Sequence, residues 1–287
     1  MDGFRWDLAP QLIVSGLLAG APYALAAWGL AVALGSGILN LTQGTFFALG
    51  AYLAYDVTGR GLPAVYAAAP AAAAGLVLGG VIERMFVRPL RGQPLAAAAV
   101  LLGLAIGGEA ALQLVWGPGA RSVPLRLPVL QIEHVVVTGA EQFIAAGAAL
   151  ALCAVIVAAR RTRAGLALRA AAEAPEIAAC TGLDVGRLHA WAFGTACAAA
   201  ATAGALLAPI TPLSPSMGRS ALLICLAVVT AGGPGIAGLL VASLALVTVI
   251  QSASTYLAPQ WGTVIPAVVF AGAAAWRRSP LWRRAEA

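Results

Sequence analysis

Arg163–Leu188, RAGLALRAAAEAPEIAACTGLDVGRL, is a charged island between long apolar runs. It holds Arg163, Arg169, Glu173, Glu176, Asp184 and Arg187, while the segments on either side are nearly free of charge. A chain patterned in this way crosses a membrane and keeps the island outside the lipid, either as a plain loop or as a docking surface for a soluble partner. The order within the island favours docking. Gly165 opens it, and the Ala-rich run to Glu173 predicts a short helix. Pro175-Glu176 then restarts a second one. Pro suits the first helical position, where its missing N–H would be unpaired anyway, and Glu complements the positive end of the helix dipole. Gly182 fits the residue that stops a helix.

Composition outside the island agrees. The 287 residues are 61% hydrophobic and 10% charged, with a mean hydropathy of +0.90; a soluble domain carries roughly 25% charged residues. Apolar runs near the ~20 residues that cross a bilayer predict spans at about 12–34, 38–57, 64–82, 95–116, 141–159, 188–208, 219–231, 236–256 and 261–276. The second and seventh are the weakest, being interrupted or short. None alternates polar and apolar residues as a membrane barrel would. The expected fold is therefore all-α, a single transmembrane bundle over residues 1–287, with eight or nine spans. A broken or re-entrant element lies near 35–57, and an extramembrane loop occupies about 160–188. The run from Leu12 is too long for a signal-peptide core and is expected to stay as a span.

Every basic residue is Arg, and the formal net charge is +6. The arginines flank apolar runs and form no stripe, so they mark topology rather than nucleic-acid binding. Arg84, Arg88 and Arg91, then Arg160, Arg161, Arg163 and Arg169, then Arg277, Arg278, Arg283 and Arg284 identify cytoplasmic segments. The loop 117–140 falls outside by alternation. Nine spans put the N-terminus outside, and eight put it inside. Gly16 with Gly20, and Gly75 with Gly79, are spaced for close helix packing. Cys153, Cys180, Cys197 and Cys225 lack metal-ligand spacing and read as small buried apolar residues. His134 and His189 are isolated and read as loop or interface residues.

Polar groups within the spans are costly in lipid and are functional candidates by default. Glu109 sits mid-run in LLGLAIGGEAALQLVW, with Gln113 on the same helix face. Asn40, Thr42 and Gln43 lie among Gly35, Gly37 and Gly44, which predicts a helix break of the kind tolerated only in protein or beside a watery cavity. The alternative for Glu109 is a protonated side chain bonded to a neighbouring helix. Gln251, Ser252 and Ser254 fall near the outer end of a span. No Gly-x-Ser-x-Gly, His-Glu-x-x-His or intramembrane Asp pair occurs. The lack of Lys excludes a phosphate-binding Gly-x-x-x-x-Gly-Lys loop, so any ATP chemistry belongs to another chain.

Four segments, in order, resemble one family. GILNLTQGTFFALGAY at Gly37–Tyr52 is similar to its Asn-Phe-Ala-His-Gly-Glu-Phe element followed by Leu-Gly-Ala-Tyr. GGVIERMFVRPLRG at Gly79–Gly92 resembles its Glu-Arg…Arg-Pro-Leu-Arg-Gly loop. Arg163–Leu188 resembles its version of the ABC-permease "EAA" loop, and SMGRSALLICLAVVTAGGPGIAG at Ser216–Gly238 its Met-Gly…Gly-Gly-x-Gly segment. The family is the LivH-type permease of bacterial branched-chain amino acid ABC importers.

The resemblance implies a multi-pass protein of the bacterial inner membrane, and a permease subunit rather than an enzyme. A second, related permease subunit or a second copy of the chain would complete the pathway. It also implies two cytoplasmic ATPase subunits holding ATP and Mg, with no cofactor in this chain, and a periplasmic substrate-binding protein. Gly165, Arg169, Ala170, Glu173, Glu176 and Gly182 would dock the ATPase, while Asn40, Thr42, Gln43, Glu109 and Gln113 would line the translocation pathway. The chain departs from the family where Gln43 replaces a usual His and Thr45 a usual Glu, and Arg278-Ser279-Pro280-Leu281 only loosely echoes its C-terminal Arg-Pro-x-Gly-Leu pattern. The cargo is thus expected to be branched-chain amino acids or a similar small polar solute. One rival is a stand-alone secondary transporter with Glu109 as proton relay, which would want several coupled ionisable groups and often an inverted repeat. Another is a structural or assembly membrane protein, which would need neither a broken polar helix nor a helical docking loop.

Overall fold

The break at residues 35–43 organises the bundle. A computed structural model describes residues 9–123, 130–132, 135–137, 139–173, 180, 184–233, 235–256 and 261–278. Helix α1 (Ala9–Gly35) ends where Gly37 takes a φ of +76°. The Ile38 N–H donates to the Ala33 carbonyl (3.1 Å), and the Gly37 N–H donates to the Leu34 carbonyl (2.9 Å). This is the Schellman stop, which satisfies the last carbonyls of a helix and needs a left-handed residue at the position of Gly37. Helix α2 (Gln43–Gly59) starts after the break and ends in the same way: Leu62 donates to Val57, and Gly61, at φ +76°, donates to Thr58.

The remaining helices follow the predicted spans closely, except α6, which is the helix expected in the charged island. They are α3 (Ala68–Ile82), α4 (Pro94–Trp116), α5 (Gly139–Arg161), α6 (Arg163–Glu173), α7 (Val185–Leu207), α8 (Met217–Gly232), α9 (Ile236–Tyr256) and α10 (Trp261–Arg278). The third span is longer than expected. It begins in a 3-10 turn at Ala64–Ala67 and continues past α3 through a π turn at Glu83–Val87 and a 3-10 turn at Arg88–Leu90. Six helical stretches are long and apolar enough to cross a membrane. Helices α2 and α8, of 17 and 16 residues, are short of a full crossing, matching the two weak spans of the sequence. The protein is thus an all-helical polytopic bundle. The loop expected at 117–140 adds a small antiparallel hairpin, Leu130–Ile132 (β1) with Val135–Val137 (β2).

Helix α7 is the axis, with Ala192, Phe193, Ala196, Cys197, Ala200, Ala201 and Ala203 buried against α1, α2 and α3. Its small side chains let backbones approach, since dispersion at close range replaces the hydrophobic drive that lipid cannot supply. The two glycine pairs anticipated as packing sites do pack. Gly16 and Gly20 lie against Thr248 and Leu244 of α9, and Gly75 and Gly79 against Cys197 and Ala198 of α7. Cys197 and Cys225 are buried as expected. Cys153 and Cys180 are exposed instead, Cys153 because it falls on the outward side of α5 and Cys180 because it belongs to the charged island.

Contacts define two ends. At one, Arg84 and Arg88 share a recess with Asp184 and Arg187 at the start of α7, and Arg91 donates to the Gly186 carbonyl at 3.2 Å. The end of α1 reaches the same end, where Ser36–Leu39 border a recess shared with Arg91 and His189. At the other end, Arg121 pairs backbone to backbone with Leu213, and its guanidinium donates to the Tyr55 hydroxyl at 2.9 Å. There too the Trp116 indole donates to Asp56 at 3.0 Å. Helix α2 therefore runs to the end opposite the arginine loops, as a crossing element rather than a re-entrant one. Because α1 ends beside the arginines, it starts at the end away from them.

Candidate functional site

The predicted polar break is a closed knot. Asn40, Thr42 and Gln43 are all buried. Asn40 Oδ1 accepts from the Thr42 N–H at 3.1 Å and the Thr42 hydroxyl at 2.6 Å. Asn40 Nδ2 donates to Gln43 Oε1 at 3.1 Å and to Cys197 Sγ at 3.4 Å. Gln43 Nε2 donates to the carbonyls of Ala26 on α1 (2.9 Å) and Ala196 on α7 (3.3 Å). Ala196 is the midpoint of α7, so α2 begins at mid-depth. The three side chains spend their bonding capacity on one another, on Cys197 Sγ and on two backbone carbonyls. That is the arrangement a break inside an apolar bundle requires, because an unpaired polar group there costs several kcal/mol.

A second short helix starts at the same depth. The first turn of α8 meets the first turn of α2 at Gly44 and Gly218, where a Cβ on either residue would fall 2.2–2.3 Å from the other's carbonyl oxygen. The residue after Gly218 is Arg219. Its guanidinium donates to Glu109 Oε1 on α4 at 3.1 Å, and the side chains are 74% and 19% exposed, respectively. Glu109 thus has its partner on α8, a helix neighbouring α4. Thr45 joins the same helices, its hydroxyl donating to the Ala105 carbonyl at 3.2 Å while its methyl fits over Gly108. Gln113 is exposed one turn along α4. The structure does not bring the Asn40 group and the Glu109 group into one cavity among the described residues: the first points into the bundle and the second lies on its side.

The docking candidates fall mostly on α6. Thr162 caps this helix by accepting the Gly165 N–H at 3.0 Å, which satisfies one of the orphan donors of a helix start. Helix α6 packs against α5 and α7 at the arginine end. Gly165 is half-buried and Ala170 exposed; Arg169 and Glu173 lie on the helix. Glu176 and Gly182, with the expected second helix, lie outside the described residues. Asp184 caps α7 by accepting the Arg187 N–H at 3.0 Å, and its other oxygen pairs with the Arg187 guanidinium.

Sequence reasoning missed Arg219, because it stands at the edge of the apolar run 219–231 and reads as a flank. It placed Glu83 only within the charged loop motif, and missed its full burial and its ion pair with Arg91. The signal for Glu83 was there: an acid at the end of an apolar run, eight residues before an arginine, in one charged loop. Among the described residues no three His, Cys, Asp or Glu side chains gather as metal ligands.

A bundle of crossing helices, two of them broken at mid-depth with a charge pair beside the break, has the build of a membrane permease. The family model for branched-chain amino acid transport system / permease component matches residues 12–274, and the chain belongs to that family. It is 27% identical to the high-affinity branched-chain amino acid transport system permease protein LivH of Salmonella typhimurium, and 28% identical to LivH of Escherichia coli. Each alignment covers 89% of both chains. It is 29% identical to the permease protein BraD of Pseudomonas aeruginosa over 69% of this chain and 70% of that one. No solved structure gives a significant match.

Proposed function

We propose that this permease is the membrane subunit of an ATP-driven importer for branched-chain amino acids or a similar small polar solute in a bacterial inner membrane. It works with a second permease subunit or a second copy of itself, two cytoplasmic ATPases that bind ATP and Mg, and a periplasmic binding protein. The observation that carries the reading is the charged segment of α6. It is helical, capped at Thr162, and rooted between α5 and α7 at the end where the arginines of 84–91 gather. Arginine-rich loops stay on the cytoplasmic side, so α6 is offered where an ATPase could seat it. Gly165, Arg169, Ala170, Glu173, Glu176 and Gly182 form the docking segment. The pathway passes the side of α4 that carries Glu109 and Gln113, while Asn40, Thr42 and Gln43 stand behind it and hold the start of α2.

The test is crosslinking from Ala170→Cys in the assembled transporter, with ATP hydrolysis and uptake followed in Glu176→Arg. A disulfide or thiol crosslink to an ATPase subunit, with hydrolysis uncoupled from uptake in the Glu176 variant, is the expected result. Labelling of position 170 from outside intact cells would overturn the arrangement.

A further inference from the structure

The Glu109–Arg219 pair is in an odd place for a structural ion pair. Glu109 lies four residues past Ala105, the midpoint of α4, so it is about 6 Å along the axis at 1.5 Å per residue. A hydrocarbon half-thickness is about 15 Å. The depth of Arg219 is fixed independently, since it follows Gly218, which touches Gly44 beside the knot anchored at the centre of α7. The pair therefore belongs to the membrane interior, yet the Arg219 side chain is 74% exposed. An arginine presented to lipid at that depth is strongly disfavoured. The side of the bundle where Arg219 emerges is therefore suited to water or another protein surface rather than to lipid. It is also better equipped than an ion pair alone: Arg219 stands in the first turn of the 16-residue α8, whose positive end adds to its charge, and Ser216 is exposed one turn earlier.

We propose that Glu109 and Arg219 read the two charges of a zwitterionic solute as it passes. A carboxylate on the solute takes the guanidinium, with the first turn of α8 behind it, and an ammonium takes Glu109. The inference rests on the importer reading and deepens it by assigning the two residues that meet the solute's charges. The pairing at 3.1 Å uses one nitrogen of Arg219 and one oxygen of Glu109. It leaves the rest of each group to accept a partner, whereas the Asn40 knot is saturated. A pair that opens to a zwitterion exchanges one set of charge-assisted bonds for two, so passage does not require either charge to be stripped bare.

The experiment uses the complete transporter, with its ATPases and binding protein, in proteoliposomes supplied with labelled L-leucine and, separately, a labelled uncharged short-chain amide. The key variant is the double substitution Glu109→Gln with Arg219→Gln, which keeps a hydrogen-bonded pair of similar size but no charge. Assembly and ATPase activity are measured on the same samples. The expected result is that L-leucine uptake falls about 10-fold or more, the usual scale for losing charge-assisted bonds, while assembly and hydrolysis persist. Arg219→Lys should retain most uptake. Wild-type leucine uptake by the neutral pair would overturn the inference and leave the importer reading standing. Uptake of the amide but not leucine by the wild-type complex would also overturn it. No ATP-dependent uptake of any solute by the wild-type complex would instead count against the importer reading itself. Should the double variant fail to assemble, the Arg219→Gln single variant carries the same comparison: unchanged leucine uptake by it overturns the inference.

Discussion

The break at Asn40–Gln43 and the Glu109–Arg219 pair both place polar groups deep in an apolar bundle, but they are finished differently. The first closes on itself: each amide and hydroxyl finds its partner within the knot or on a backbone carbonyl of α1 or α7. The second stays half open on the side of α4 and α8. Buried polar groups that satisfy one another fix a structure, whereas groups left with spare bonding capacity on an accessible face are equipped to meet a ligand. Residue type and depth do not separate the two cases; saturation does.

Substitutions can break that contrast, and the largest effect belongs to the junction shared by the two broken helices. Gly44→Leu puts a side chain where a Cβ alone would lie 2.2 Å from the Gly218 carbonyl oxygen. Backbone cannot yield there, so the expected loss is about 3 kcal/mol or more, read as failure to accumulate in the membrane or a collapsed melting temperature in detergent. Next is Gln43→Leu, which removes two donors and one acceptor from the knot and leaves the Asn40 amide nitrogen only Cys197 Sγ as partner. It should cost roughly 1–3 kcal/mol of stability, while molecules that still fold should transport at near wild-type rate. A large loss of uptake per folded molecule would show that the knot also meets the solute. Thr45→Val deletes only the bond to the Ala105 carbonyl, on the seam between knot and pair, and a loss of about 0.5–1.5 kcal/mol is expected in a thermal melt. The smallest change is Gln113→Leu. Its side chain is exposed, and stability should move by no more than about 0.5 kcal/mol; a larger drop would place it in a contact that the single chain does not contain.

Much of this architecture was legible because lipid leaves so few choices. The spans at 95–116 and 236–256 match α4 and α9 almost residue for residue, since a helix that must satisfy its own backbone ends where the apolar run ends. The break at 35–43 was equally readable: Gly35, Gly37 and Gly44 around Asn40 and Gln43 leave no continuous helix. The partners of the polar groups were not readable. Nothing local marks Arg219 as deep, because its depth comes from the contact of Gly218 with Gly44, far away in the chain. The same applies to Glu83, whose burial depends on the span continuing through a π turn instead of stopping at Ile82. The exposed Cys153 shows the converse, since hydrophobicity says that a residue is in a span but not which way it faces.

The Gly44–Gly218 contact also has a meaning in sequence space. Each residue is confined by the other's main chain, so the restriction is reciprocal. It is not compensable, because a larger residue at one position cannot be accommodated by a smaller one at the other: both already carry the smallest side chain there is. Two sites far apart in the chain are thereby held to a one-letter alphabet, and a viable variant at either would have to move a whole helix rather than trade one side chain for another.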